Sequence, residues 1–443
     1  MRLQFLENFF TMKKNIKVFK FGGASVKDAA SIRNVANILK NHKNEKLVIV
    51  VSAMGKTTNA LEKILKTAFE KNENLDALIE ELKENHVKEA TKLMGKNDEL
   101  FKAINQFISG LRKIIQKRGN QSYDKIYDQV VSVGELLSTK IVHAFLNKKK
   151  LSATWVDARK IIKTDNTYRE GRIDWEKTEL SVQKIVRPLL RKNGYVVTQG
   201  FIGGSREKTT TTLGREGSDF SAAILSYCLD AEEMSIWKDV EGIMTGDPRL
   251  FKKVTKIDRL SYREAIEMTY YGAKVIHPKT IKPIQNKSIP LYVRSFINPK
   301  GKGTLISGEA DIHYPPVVVV EKEQVLVQIA TKDFSFVAEH HLSYIFKLFT
   351  DYRIKVNMMQ NMAISFSVCI TLKDINRLNK VIKILSENFE VRVEKNLELI
   401  TIRHYHQEVI KQMKKGKIVL LEERIRQTIQ LVMKDVPIME RKD

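Results

Sequence analysis

Apolar residues along this chain follow two rhythms. Short continuous runs, of the kind buried parallel strands show, fall at residues 16–21 (IKVFKF), 47–52 (LVIVVS), 195–200 (YVVTQG), 234–239 (MSIWKD) and 291–296 (LYVRSF), with a shorter one at 153–156. Between them, apolar positions recur at i, i+3 and i+4, the spacing of amphipathic helices. That spacing predicts helices through residues 60–120, over 176–191 and over 257–268. Residues 127–133 read as one more apolar run, with Gly134 and Glu135 at a turn where strand becomes helix. Strands alternating with helices over residues 16–296 predict an α/β domain, a largely parallel sheet with helices on both faces. The helical stretch at about 60–125 reads as an insertion at its edge.

The rhythm changes after residues 298–303 (NPKGKG) and Pro315-Pro316, which punctuate the chain as a domain boundary does. Beyond it come a strand at 325–330, a helix with Leu342, Ile345, Phe346 and Phe349 on one face, strands at 354–359 and 363–371, and a helix at 374–388. Strands at 397–403 and 428–434 follow, with a helix from Gln407 between them. The order β-α-β-β-α-β, twice over, is a ferredoxin-like pattern. The expected organisation is an N-terminal extension at 1–11, with Met1 or Met12 as the start, an α/β domain at 12–305 and a ferredoxin-like region at 316–443.

Composition narrows the class. Of 443 residues, 43% are hydrophobic and 29% charged, as in a globular protein, and no apolar run reaches membrane-spanning length. The first residues lack the small-residue cleavage site of a signal peptide. Cys228 and Cys369 both sit in apolar patterns and read as buried thiols of a reducing, cytoplasmic compartment. The formal charge of +24 raises nucleic acid as a partner. The lysines, however, are scattered over helix-like polar faces. Their short clusters, at 148–150 and 414–417, lack interleaved aromatics, so the charge reads as solvated surface that also attracts anionic metabolites.

Candidate chemistry gathers at strand ends. In residues 18–25 (VFKFGGAS) an apolar strand ends in Gly22-Gly23 and a helix opens just beyond. Backbone without Cβ approaches a ligand closely, and unpaired N–H groups at a helix N-terminus favour phosphate. Lys20 adds a positive charge there; the plain alternative is an ordinary strand–helix turn. Gly55-Lys56-Thr57 suggests a P-loop, but the position five before Gly55 is Val50, not Gly. Thr57 and Thr58 then serve either a ligand or, with Asn59, a helix cap. Glu135 either complements a helix dipole or binds an ammonium. Residues 213–221 (LGREGSDFS) form a second glycine-bearing loop. Its Arg215 offers a fork for a carboxylate, and Asp219 is free to hold Mg²⁺ or orient a lysine. The alternative is a capped turn. His277 before Pro278 reads as structural, and His404 with His406 lacks a ligand set, so no metal site of the protein's own is expected.

Seven of these segments, KFGGASV, SAMGKTTN, SVGELLS, TQGFIG, LGREGSD, WKDVEGIMTGDPR and GAKVIHPKT, occur in the order seen in aspartate kinases of the amino-acid kinase superfamily, which the chain resembles from Val18 to about Lys434. The C-terminal part resembles that family's paired ACT regulatory domains. The resemblance implies the amino-acid kinase fold and phosphorylation of the aspartate β-carboxylate by MgATP in lysine, threonine and methionine synthesis. It implies a homodimer or larger homo-oligomer, feedback by lysine or threonine, and neither nucleic acid nor membrane as partner. By the same resemblance Lys20 and Asp219 are catalytic, while Gly22, Gly23 and Ser25 cradle phosphate. Thr58, Glu135, Arg215 and Ser218 hold aspartate. Lys238, Asp239, Met244, Arg249 and Lys274 fall on the nucleotide side. Lys332, Asp333, Phe334, Ser335, Asn357, Met358 and Met362 line an effector pocket. Lys238 stands where many members have Thr, Met244 where many have Tyr, and Asn357 where lysine-sensitive relatives often have Asp. A glutamate 5-kinase lacks the ACT-like tail, and a non-catalytic amino-acid sensor has no need of Lys20, so both rivals fit less well.

Overall fold

The computed structural model describes residues 16–70, 73–273, 276–309, 313–372 and 374–436. The expected extension at 1–11 lies outside the described residues. The chain divides into two units. The first comprises Met1–Ile243, Asp258–Ile266 and Val275–Ile312; the second comprises Met244–Ile257, Glu267–Lys274 and His313–Asp443. Among the described residues no helix is long and apolar enough to cross a membrane.

In the first unit the apolar runs become strands. They are β1 (Ile16–Phe21), β2 (Lys46–Val51), β3 (Ala153–Val156), β4 (Tyr195–Gln199), β5 (Ile202–Ser205), β6 (Thr210–Thr212), β7 (Glu233–Lys238), β8 (Arg259–Ser261), β9 (Leu291–Ser295) and β10 (Thr304–Ser307). Eight of them form one sheet in the order β8-β10-β9-β7-β1-β2-β4-β3. Every pairing is parallel except β9 with β10. β1 is central and is fully buried at Val18, Phe19 and Phe21. That burial is why its sequence reads as a continuous apolar run and not as an alternation. β5 and β6 pair in a small separate sheet.

The helices of this unit that bear on the site are α1 (Ala29–Lys40), α2 (Thr57–Phe69), α3 (Leu75–Met94), α4 (Asp98–Gln116), α5 (Tyr123–Lys148), α6 (Trp175–Asn193) and α7 (Gly217–Leu229). The 26-residue α5 corrects one expectation. Residues 127–133 are not a strand, and Glu135 lies inside a helix, not at a turn. Val130, Val131, Leu137, Ile141 and Val142 of α5 are all fully buried. A helix enclosed on every side shows the same unbroken apolar run as a buried strand. Gly134 permits the enclosure, because a Cβ there would lie 3.0 Å from Thr57 Cγ2 and 3.1 Å from Ala53 Cβ. The helix expected over 257–268 is likewise divided into β8 and a helix at Tyr262–Tyr270.

The second unit carries a six-stranded antiparallel sheet. Its strands are β11 (Val317–Thr331), β12 (Val356–Asn361), β13 (Ser365–Thr371), β14 (Phe389–Arg403), β15 (Lys417–Ile425) and β16 (Thr428–Asp435), ordered β12-β13-β11-β14-β16-β15. The helices Glu339–Asp351, Ile375–Asn388 and Gln407–Lys414 complete it. The ferredoxin-like halves are present, but not as two full copies in sequence. β11 and β14 are each 15 residues long, and each serves both halves. Their mutual register shifts between Glu321 and Leu326. Distinct apolar clusters lie on either side of that irregularity, one around Val325, Phe349 and Leu385, the other around Ile402, Ile410 and Leu431.

Candidate active site

β1 delivers Lys20 to the end of the sheet, between Val50 of β2 and Ile236 of β7. The Gly22-Gly23 turn follows. A Cβ on Gly23 would stand 3.0 Å from the Ala53 carbonyl and 3.1 Å from that of Gly55, so glycine lets this turn seat against the loop after β2. The Gly55 N–H donates to Gly23 O at 3.1 Å and fixes that contact. A Cβ on Gly22 would lie 3.4 Å from Lys20 Nζ, so the bare backbone and the ammonium share one small space. Ser25 is buried, and its hydroxyl donates to Trp237 O at 3.2 Å. Its side chain ties the turn to β7.

α7 brings the counter-charge. Asp219 lies in the first turn of this helix, where the dipole favours an anion. It is buried, with Oδ1 2.6 Å from Lys20 Nζ and Oδ2 4.0 Å from Lys238 Nζ. Burial alone would raise the Asp219 pKa; the charges of Lys20 and Lys238 outweigh it and hold the carboxyl below its usual range. α7 reaches this position because residue 200 is glycine: a Cβ there would fall 2.5 Å from Ser218 Cβ. Glu216, just before the helix, adopts a left-handed φ of 54° and accepts the His277 N–H at 3.0 Å. His277 accepts the Lys279 N–H at its own helix start, the structural role expected of it.

Glu135 points from α5 into the same region and is 3% exposed. Its Oε1 accepts the Ala53 N–H at 3.4 Å, and its Oε2 has no hydrogen-bond partner. Burial pushes its pKa up to about 8, against the backbone hydrogen bonds and the charge of Lys20. A buried carboxylate oxygen without a donor is costly, and a cationic ligand group would relieve that cost. Thr58 is the second residue of α2 and is half-buried; Thr57, which opens the helix, is buried with its hydroxyl 3.4 Å from His86 Nε2. Arg215 is exposed, in a loop held by Leu213 N–H to Phe201 O at 2.9 Å and by Gly217 N–H to Gly214 O at 3.0 Å.

Of the expected nucleotide-side residues, Lys238 and the exposed Asp239 lie at the end of β7. Met244 and Arg249 belong to the second unit, where Arg249 pairs with Asp247. Lys274 lies outside the described residues. Of the expected effector residues, Lys332, Asp333 and Ser335 line a cavity of about 500 Å³ with His340, His341 and Tyr344. Lys332 Nζ donates to the carbonyls of Ser386 and Glu387, the open end of a helix. Phe334 is exposed at a left-handed φ of 59°. Met358 does not face this cavity; it is buried among Leu326, Cys369 and Leu421. Met362 is exposed. Asn357 donates to Gln324 Oε1 and Thr371 Oγ1, leaving its own Oδ1 without a partner.

Sequence reasoning missed one contact and one residue. Lys238 was expected on the nucleotide side, but not its place beside Lys20, with its ammonium 4.0 Å from Asp219 Oδ2. Asp128 was hidden inside the supposed strand. A lone carboxylate in an otherwise apolar run was the available signal, because an acid at such a position is rarely buried without partners.

Residues 15–295 match the amino acid kinase family. The lysine-sensitive aspartokinase 3 of Escherichia coli is 30% identical over 406 residues, 87% of this chain and 86% of that protein. The bifunctional aspartokinase/homoserine dehydrogenase of Buchnera aphidicola is 32% identical over 299 residues, 66% of this chain. That match covers only 36% of the bifunctional protein, so the chain corresponds to about a third of that relative's length. Solved structures of E. coli aspartokinase III, one with lysine and aspartate and one with aspartate and ADP, are 25% identical with TM-scores of 0.80 and 0.78. Each alignment covers 94% of this chain and 96% of the other.

Proposed function

The chain belongs to the amino acid kinase family and, within it, to the aspartokinases; from that premise we propose that it transfers the γ-phosphoryl group of ATP to the β-carboxylate of L-aspartate, giving 4-phospho-L-aspartate. The observation that carries the reading is the unpartnered Oε2 of buried Glu135, in a region that also holds Lys20 and the glycine turn. It supplies an acceptor for an α-ammonium where the other groups suit phosphate.

The nucleophile is a carboxylate, ionised at neutral pH. No general base is needed; the protein's task is positioning and neutralisation of charge. Lys20 and the N–H groups beyond Gly22-Gly23 stabilise charge on the transferred phosphoryl. Asp219 keeps the Lys20 ammonium on its axis, with Lys238 as a second cation beside it. Glu135 takes the substrate ammonium, Arg215 a carboxylate that does not react, and Thr58 and Ser218 complete the grip. Lys238, Asp239, Met244, Arg249 and Lys274 serve the nucleotide. Among the described residues no group of three His, Cys, Asp or Glu is arranged for a metal. Mg²⁺ would therefore arrive on the ATP phosphates, where it neutralises charge, with Asp219 the nearest candidate carboxylate. The cavity at Lys332, Asp333 and Ser335 takes the regulatory amino acid, lysine or threonine. A cytoplasmic setting fits Cys228 and Cys369, which are free and buried.

Incubation with ATP, Mg²⁺, hydroxylamine and a panel of amino acids tests the reaction. Hydroxamate should form with aspartate and not with glutamate. Hydroxamate from glutamate alone, or from no amino acid, would overturn it.

A further inference from the structure

Asp128 is fully buried in α5, two helical turns before Glu135, and forms no ion pair within 4.0 Å among the described residues. It is nonetheless fully employed. Its Oδ2 accepts the Thr212 N–H at 2.8 Å and the Arg169 N–H at 2.9 Å, and its Oδ1 accepts the Thr212 hydroxyl at 2.7 Å. Burial pushes its pKa upward against these bonds. Thr212 is the last residue of β6 and stands three before Arg215. Arg169 belongs to a segment that closes over the same stretch: the Gly171 N–H donates to Thr212 O at 2.8 Å. A Cβ on Gly214 would lie 3.3 Å from Arg169 O. Arg169 itself adopts a left-handed φ of 67° and stacks its guanidinium 4.1 Å from the Tyr127 ring centroid. A non-glycine residue holds such a backbone only where its surroundings over-determine it.

We propose that Asp128 is a positioning residue for substrate: it pins β6 and residues 169–171 to α5 and so sets where the Arg215 loop presents its guanidinium relative to Glu135. One helix then fixes both grips on aspartate, Glu135 directly and Arg215 through Asp128. A carboxylate suits this hub because it accepts three bonds at once with no competing donor. The inference rests on the reading that Arg215 binds aspartate.

Steady-state kinetics of variants tests it. Asp128→Ala should raise KM for aspartate by about tenfold while KM for ATP stays within about twofold, since only uniform binding of one substrate is lost. Asp128→Asn should recover most of the loss, because an amide oxygen accepts both backbone N–H groups and its NH₂ can donate to the Thr212 hydroxyl. In an Arg215→Ala background Asp128→Ala should change aspartate KM by less than about twofold, the non-additivity of residues acting in one unit. A merely structural role would lower the folded fraction, hence apparent kcat, and leave KM alone. An equal rise in ATP KM, or an undiminished effect without Arg215, would overturn the inference. If Asp128→Ala does not fold, Thr212→Val removes one bond only; an unchanged aspartate KM would then overturn it. If Arg215→Ala leaves aspartate KM intact, the reading of Arg215 falls and this inference with it.

Discussion

At the scale of single residues the proposed function separates charge meant for the transition state from charge meant for the substrate. Lys20 is held by Asp219 at 2.6 Å in a buried pocket. An ammonium so preorganised acts on developing charge, so Lys20→Ala should lower kcat by roughly two to four orders of magnitude. On the proposed reading, Arg215 grips a part of aspartate that does not react. Arg215→Ala should raise KM for aspartate at least tenfold, at roughly 2–5 kcal/mol for a truncated charge pair, and leave that for ATP nearly unchanged. Circular dichroism guards against misfolding, and a rise confined to ATP KM would reverse the assignment. Glu135 gives a pH signature. With its pKa at about 8 in the unliganded protein, binding an ammonium below that pH requires loss of a proton. Aspartate KM should therefore fall as pH rises from 6 to 8, and the dependence should vanish in Glu135→Gln. Stability runs the other way. A folded pKa above the unfolded one stabilises fully below the unfolded value and loses that contribution as pH rises toward 8. Thermal melts of the two proteins should therefore converge at and below about pH 4.5, the ordinary glutamate value, and part as pH rises to 8. A profile identical in both would remove Glu135 from the ammonium site.

At the scale of elements the glycines decide what can approach what, and this explains which parts of the fold were legible. Strand–glycine–helix junctions at Gly22-Gly23 and at 213–221 announced themselves, because β1 is enclosed by neighbours and its turn packs so closely on the next loop that a Cβ on Gly23 would stand 3.0 Å from the Ala53 carbonyl oxygen. α5 did not. Only its part beyond Glu135 read as helix; the run at 127–133 did not, because a helix buried on every side loses the polar face that marks the 3.6-residue period. The doubled pattern in the second unit was legible as strands and helices. The sharing of β11 and β14 was not, because a register irregularity at Glu321–Leu326 leaves no mark in hydrophobicity. That unit also yields a prediction. The loop after β11 is shaped by its own bonds, Asp333 Oδ1 accepting from both the backbone and the hydroxyl of Ser335, and it opens on the cavity with His340 and Tyr344. Lysine or threonine at millimolar concentration should inhibit. Asp333→Ala, by loosening the loop, should raise the inhibiting concentration and leave uninhibited kcat unchanged. No change in activity with either amino acid, alone or together, would discard the effector reading.

At the scale of the whole molecule the question is what covers the second unit's sheet. Its two edges differ. β15 is lined with paired charges: Glu422 with Lys414 and Arg424, and Lys417 with Glu398 and Asp435. Charged edges of this kind resist pairing with another chain. β12, at the other edge, is six residues long and carries Met359, 52% exposed, with Met362, Ile364, Phe334 and Phe336 also exposed on or near it. Scattered apolar side chains need no explanation, but several gathered beside an open strand edge mark an interaction surface. A second copy of the chain brings the same patch and the same open edge, so a twofold pairing satisfies both at once. The expected state is therefore a homodimer formed at least partly through residues 317–434. Light scattering at micromolar concentration should return twice the chain mass. Met359→Lys, which sets a charge on the edge strand, should shift that value toward the monomer while the far-UV spectrum stays the same. A monomer under these conditions, with or without added amino acids, would rule the dimer out. A dimer indifferent to Met359→Lys would move the contact to another face of the molecule.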